Sequence, residues 1–207
     1  MHMEIIIAKA NQANDILKLY THYVKNSVAT FEEQTPSLIE MKQRIHDVGL
    51  NHLWLCLYHQ GEMLGYCYAG AHRARSAYRF SVESSIYLSE AAQGRGLAKP
   101  FYGFLLSTMK EMGYHTAFAG ISLPNTASVK LHSGLGFQTI GTFKGVGFKF
   151  NHWIDTFWMS LRLRDDAEIP KSTKRKEELF LSEDWQNKQK NTENMLLENW
   201  NSSNLGA

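Results

Sequence analysis

The run Gln93-Gly94-Arg95-Gly96-Leu97-Ala98 constrains this chain more than any other segment, because of what flanks it. Tyr78–Leu88, ahead of it, is rich in β-branched and aromatic residues and reads as a strand, and Lys99–Met112, behind it, reads as a helix. A glycine-rich turn in that setting collects backbone N–H groups at the positive end of a helix dipole, which makes a receptor for phosphate oxygens. The spacing excludes two common phosphate loops. No Lys-Ser/Thr follows the last glycine, as a nucleoside triphosphate loop requires, and no Gly-x-Gly-x-x-Gly is present for a dinucleotide. Taken alone, so short a pattern is also compatible with an ordinary strand-to-helix turn.

The surrounding periodicity supplies a frame for the turn. Glu4–Ala8 reads as an opening strand, followed by a helix carrying Ile16, Leu17, Leu19, Tyr20 and Tyr23, and by a second helix from Pro36-Ser37 to about His46. Leu53–Tyr58 and Met63–Ala71 read as a hairpin around Gln60-Gly61, His115–Ile121 as a strand, and Asn125–Leu135 as a helix stopped by Gly136. Thr139–Phe150 and His152–Leu163 close the series as a second hairpin. The order β-α-α-β-β-β-α-β-α-β-β predicts an α/β fold with helices on both faces of a mixed sheet. Tyr78–Leu88, its helix and His115–Ile121 form a crossover between parallel strands, with the phosphate turn at their carboxyl ends, where ligands collect.

At 207 residues and 43% hydrophobic, the chain has enough apolar material for one core, assigned to residues 1–163. Beyond Arg164 the composition turns to Lys, Glu, Asn and Gln with isolated apolar residues, so 164–207 is expected to be a polar, solvated tail, partly helical or disordered. A net charge of +2 gives no basis for a nucleic-acid or membrane surface, and nine scattered histidines do not form a metal site. No apolar stretch reaches the length of a membrane span. Cys56 and Cys67, in neighbouring apolar segments, are expected as buried thiols, and the cytoplasm as the compartment.

A second motif follows the next strand. Asn125 and His132 are seven residues apart, nearly two helical turns, and share a face with Ser128 beside the phosphate turn. Alone, Asn125 reads as a helix cap and His132 as a structural histidine. With Leu131, Leu135, Gly136 and Phe137 they spell Asn-x-x-Ser-x-x-Leu-His-x-x-x-Gly-Phe. Together, Gln93–Ala98 and Asn125–Phe137 resemble the two cofactor motifs of the GCN5-related N-acetyltransferase (GNAT) superfamily. Thr30-Phe31-Glu32, Ser81–Leu88, Ala119-Gly120-Ile121 and Val146–Phe150 with Trp153-Ile154-Asp155 resemble, more closely, its phosphinothricin and methionine sulfoximine acetyltransferase subfamily. The likeness covers about residues 4–163. Ala98 stands where glycine is commoner, and Pro100 follows almost at once, tolerable because a first helical turn needs no N–H partner.

The resemblance implies a mostly antiparallel GNAT sheet with one parallel, splayed strand pair, binding acetyl-CoA as co-substrate and no metal. Cofactor contacts fall to Ile86, Tyr87 and Leu88 for the pantetheine arm, to Gln93, Gly94, Arg95, Gly96, Leu97 and Ala98 for the diphosphate, and to Asn125 and Ser128. Moving an acetyl group from a thioester to an amine requires a neutral amine, a braced oxyanion and a thiolate that can be protonated. Glu83, in a half-buried strand, is the general-base candidate if burial lifts its pKa, and His132 the general acid. Without the family, Glu83 reads as an exposed or ion-paired residue. Arg73 and Arg75 are expected to hold a substrate carboxylate through paired donors, with Phe31, Tyr78 and Lys149 lining the same pocket. The expected acceptor is the α-amine of a small amino acid of the phosphinothricin or methionine sulfoximine type. Relatives' habits imply a homodimer joined through the C-terminal hairpin. A protein N-terminus or polyamine as acceptor, or a non-catalytic CoA-binding regulator, are the alternatives.

Overall fold

A computed structural model describes residues 2–167, 169, 171–174 and 176–204. The strands are β1 (Met3–Ile7), β2 (Leu53–His59), β3 (Glu62–Ala71), β4 (Ser81–Leu88), β5 (Thr116–Ser122), β6 (Gln138–Lys149) and β7 (His152–Arg162). The helices are α1 (Ala13–Asn26), α2 (Leu38–Asn51), α3 (Ala98–Met112), α4 (Thr126–Gly134), α5 (Lys176–Phe180) and α6 (Glu183–Asn204). Their order through β7 is the one the periodicity predicts. Local chemistry sets several boundaries. Ser37 begins α2 with a capping box, its Oγ accepting from the Glu40 N–H at 3.2 Å while its own N–H donates to Glu40 Oε2 at 2.6 Å. The strand expected from Tyr78 starts only at Ser81, because Ser76–Tyr78 tightens into a 3₁₀ turn.

The seven strands form one sheet in the order β1-β2-β3-β4-β5-β7-β6. Every neighbouring pair is antiparallel except β4–β5. Side-chain alternation divides the core between two faces. On one, Tyr66 and Tyr87 pack with Ile16, Tyr20 and Val24 of α1 and Met41 and Ile45 of α2. On the other, Leu55, Cys67 and Val82 pack with Phe101, Leu105 and Met109 of α3. Cys56 and Cys67 are both buried and free. No helix among the described residues is long and apolar enough to cross a membrane.

The expectation of a solvated segment after Arg164 is corrected over its described part. Leu179, Trp185 and Leu196 are buried in the same core as α3, and Trp185 Nε1 donates to Thr108 Oγ1 at 3.2 Å. The polar residues that suggested solvation cap the edge strand instead: Ile5 N–H donates to Glu193 Oε1 at 2.8 Å, and Gln189 Nε2 donates to Ile5 O at 2.7 Å. An edge strand leaves such backbone groups unpaired, and α6 answers them with side chains.

Candidate active site

The β4–β5 pairing is short, and that shortness makes the site. Ser81, Val82 and Glu83 pair with Thr116, Ala117 and Phe118, and the register ends there, although both strands continue. Beyond that point Ser84–Leu88 and Ala119–Ser122 line the two walls of a cleft of about 390 Å³. Gln93, Gly94 and Ala98 of the glycine turn and Asn125, Ser128 and His132 of α4 complete it. The structure therefore gathers most of the expected cofactor residues around one opening. β4 keeps its antiparallel partner β3 along the whole cleft, while its other edge stands free.

Two helix starts frame the cleft. Gly94 and Gly96 adopt φ of 73° and 72°, the left-handed region where a side chain would strain the backbone. The turn thus depends on glycine at both positions. Pro100 lies in the first turn of α3, where its missing N–H costs nothing. Asn125 is the N-cap of α4, its side-chain oxygen accepting from the Ser128 N–H at 3.0 Å. The cap reading holds, and the cap presents this helix start to the cleft. Arg95 departs from expectation. Its side chain turns away to donate from Nε to Ala91 O at 2.6 Å and to lie over the Trp200 ring, 4.4 Å from its centre.

Strand alternation places Glu83 and Ser84 on opposite faces. Ser84 belongs to the α3 side, where its Oγ lies 2.7 Å from the hydroxyl of fully buried Tyr102. That hydroxyl is 3.3 Å from Nε2 of His132, and His132 Nδ1 is 2.8 Å from Ser128 O. A carbonyl only accepts, so the Nδ1 proton is assigned by this contact, and Nε2 is left to accept from Tyr102. Burial lowers the His132 pKa, opposed in smaller measure by the Ser128 bond, so the ring is neutral at pH 7. Burial also raises the pKa of Tyr102, keeping its O–H a donor. His132, Tyr102 and Ser84 form a continuous hydrogen-bonded chain from α4 to the cleft wall.

On the opposite face, Glu83 is partly exposed and its Oε1 is 2.7 Å from Nδ1 of His72. His72 stacks on Phe118, ring centres 4.3 Å apart and planes 18° off parallel. Sequence reasoning missed His72, Tyr102 and Tyr23. Tyr23, on α1, donates to Leu88 O at 2.6 Å and receives Gln93 Nε2 at 3.3 Å, tying α1 to the end of β4 and the turn. For Tyr23 the signal was its apolar-face spacing, which read only as core.

The expected substrate residues do not converge in the cleft. Arg73, Arg75 and Tyr78 border a separate depression of about 320 Å³ with His52, Ser81 and Tyr114, at the starting end of β4. The Arg73 guanidinium lies 5.5 Å from the Tyr78 ring centre, and Tyr78 meets His72 edge-on at 5.7 Å. One aromatic ring thus separates that depression from the Glu83 partner. Lys149 is corrected. It is 2% exposed, and its ammonium donates to Ser27 O and Thr30 O, both at 2.9 Å, so it fastens the chain between α1 and α2 rather than lining a pocket. Phe31, next along that segment, covers Gly147, where a Cβ would collide with its ring.

Comparison with known proteins agrees with this geometry. The acetyltransferase (GNAT) domain family matches residues 5–158. A phosphinothricin N-acetyltransferase of Alcaligenes faecalis is 38% identical over 160 residues, covering 75% of this chain and 80% of that protein. An L-methionine sulfoximine/L-methionine sulfone acetyltransferase of Salmonella typhimurium is 30% identical, covering 80% of this chain and 97% of the other. The crystal structure of a GNAT superfamily phosphinothricin acetyltransferase from Sinorhizobium meliloti, in complex with AcCoA, superposes with a TM-score of 0.78 at 36% identity, covering 83% of this chain and 94% of that one. With its parted parallel strands, twin-glycine turn and capped second helix, this chain belongs to the GNAT family of N-acetyltransferases.

Proposed function

We propose that this protein moves the acetyl group of acetyl-CoA to the α-amine of a small amino acid of the phosphinothricin or methionine sulfoximine type, with Glu83 as general base and His132 as general acid. The observation that carries the reading is the end of β4–β5 pairing at Glu83 and Phe118. It opens the sheet so that a group approaching from the α1–α2 face meets Glu83, while a thioester lying along Ser84–Leu88 meets the His132 face. The free edge of β4 suits an amide-bearing pantetheine arm, which pairs as an added strand would. The turn from Gln93 to Ala98 suits the diphosphate, and Asn125 and Ser128 border the far wall.

Glu83 takes the ammonium proton, so that the amine carries a free lone pair. The amine nitrogen then bonds to the acyl carbon. As the carbon–sulfur bond breaks, the nitrogen gives up its second proton and the departing thiolate gains one, passed on by His132. The neutral ring leaves Nε2 to accept that proton and release it to sulfur, with the Tyr102 hydroxyl 3.3 Å away orienting the ring. His72 holds the Glu83 carboxylate at 2.7 Å and is a positioning residue. Arg73 and Arg75, across the Tyr78 ring in the neighbouring depression, favour an anionic amino acid through their charge rather than by direct pairing with its α-carboxylate.

A homodimer through the second hairpin is part of the same reading. Phe143, Val146, Phe148 and Trp153 are all more than half exposed on β6 and β7, a concentration of apolar surface rare on a monomer. Sedimentation at micromolar concentration gives twice the 23.7 kDa chain mass if it is right.

The test of function is a thiol-release assay with acetyl-CoA against a panel of amino acids that includes phosphinothricin and methionine sulfoximine. Turnover on at least one such amino acid, and its loss in Glu83→Gln, are expected. Turnover on peptides or polyamines with none on amino acids would overturn the substrate assignment.

A further inference from the structure

The carboxy-terminal helix lies outside the residues that the family matches, yet it grips the glycine turn. Asn199 Nδ2 donates to Gly96 O at 3.0 Å. Arg95 Nη1 donates to Ser203 Oγ at 3.0 Å and to Asn204 Oδ1, with its guanidinium over Trp200. We infer that α6 is a positioning element for the diphosphate turn, setting the affinity for CoA from a segment appended to the family domain. The inference rests on the reading of this turn as the diphosphate site.

The reason lies in the planarity of the peptide unit. In a trans peptide the C=O and the following N–H point in opposite directions. By holding Gly96 O toward α6, Asn199 turns the Leu97 N–H away from α6 and toward the face where α3 begins. The turn contains two glycines in the left-handed region, and glycine loses more freedom than any other residue on being ordered. A turn already fixed by a neighbour binds its anion without that loss. Arg95 serves the same end, since its side chain links Ala91 on one side of the turn to Ser203 on the helix. The helix itself is fixed independently, by Trp185 on Thr108 and by Gln189 and Glu193 on Ile5.

Calorimetric titration of the full chain with CoA and with pantetheine, which lacks the diphosphate, separates the possibilities. The parent is expected to bind CoA more tightly than pantetheine. Equal affinities would overturn the diphosphate reading and this inference with it. Asn199→Ala and Trp200→Phe are then expected to weaken CoA about three- to ten-fold, the scale of one hydrogen bond or ring contact, and to leave pantetheine unchanged. Parental CoA affinity in both variants, or an equal loss for pantetheine, would overturn the role of α6 while leaving the turn's own assignment standing.

Discussion

His72 and Phe118 stand together at the point where the sheet parts: the imidazole lies flat on the phenyl ring, 4.3 Å away, and Phe118 is the last residue of β5 to pair with β4, opposite Glu83. The same imidazole holds the Glu83 carboxylate through Nδ1. Stacking fixes the ring plane, and the ring plane fixes the carboxylate. Replacing His72 with Ala should therefore lower kcat/KM about ten-fold by loosening the proposed base, whereas Glu83→Gln removes it and should lower kcat about 10²- to 10⁴-fold. CoA affinity should be parental in both, because neither side chain lines the cleft. Steady-state kinetics beside CoA titration checks this, and a His72→Ala enzyme as active as the parent would refute the positioning role.

Stability should depend on pH through His132. Burial depresses its folded pKa below the ordinary 6.5. As pH falls through 6.5 the unfolded chain takes up a proton that the folded chain resists, so the unfolded state gains and stability drops. The loss levels off once the folded imidazole also protonates. Above 6.5 both states are neutral and His132 contributes no slope. His52, likewise depressed by burial, acts in the same direction. Urea midpoints from pH 8 to pH 5 should fall for the parent and fall less steeply for His132→Gln. Identical slopes would show that His132 does not titrate as its burial requires.

The parts of the site written as contiguous sequence were legible. Gln93–Ala98 and Asn125–Phe137 carry their geometry in glycine and cap positions, which depend on local backbone. Partners that meet across the sheet were not. His72 reaches Glu83 because β3 and β4 are antiparallel and bring residues eleven apart together, and Tyr102 reaches His132 across two helices. Lys149 misled because it lies in Val146–Phe150, a segment that resembles the subfamily and so suggests pocket lining, while its two carbonyl partners are about 120 residues away. The last helix misled for a related reason. Gln189, Glu193 and Asn199 count as solvated residues by composition, yet their amide and carboxylate groups answer backbone groups of β1 and of the glycine turn.

Lys149→Met should cost about 2–4 kcal/mol of unfolding free energy. The substitution keeps the length and apolar stem but leaves the carbonyls of Ser27 and Thr30 without their charged donor. Because those residues lead to Phe31, the acceptor KM should rise as well. Chemical denaturation reads the first effect and kinetics the second. Parental stability would mean that the buried ammonium contributes nothing to holding this segment.

Trp185 tests whether the carboxy-terminal helix belongs to the folded core. Its ring is 5% exposed, lies 5.5 Å from Phe104 and 4.7 Å from Phe180, and donates to Thr108. Trp185→Ala leaves a large cavity against α3 and should destabilise the protein by about 3–5 kcal/mol, lowering Tm by roughly 10 °C for a chain of this size. Trp185→Phe keeps one aromatic ring but loses the pyrrole edge with its N–H, so a smaller loss of about 1–3 kcal/mol is expected. A solvated helix would show neither effect. The graded pair therefore follows the amount of ring that is buried, and a Trp185→Ala melting curve coincident with the parent's would detach α6 from the core.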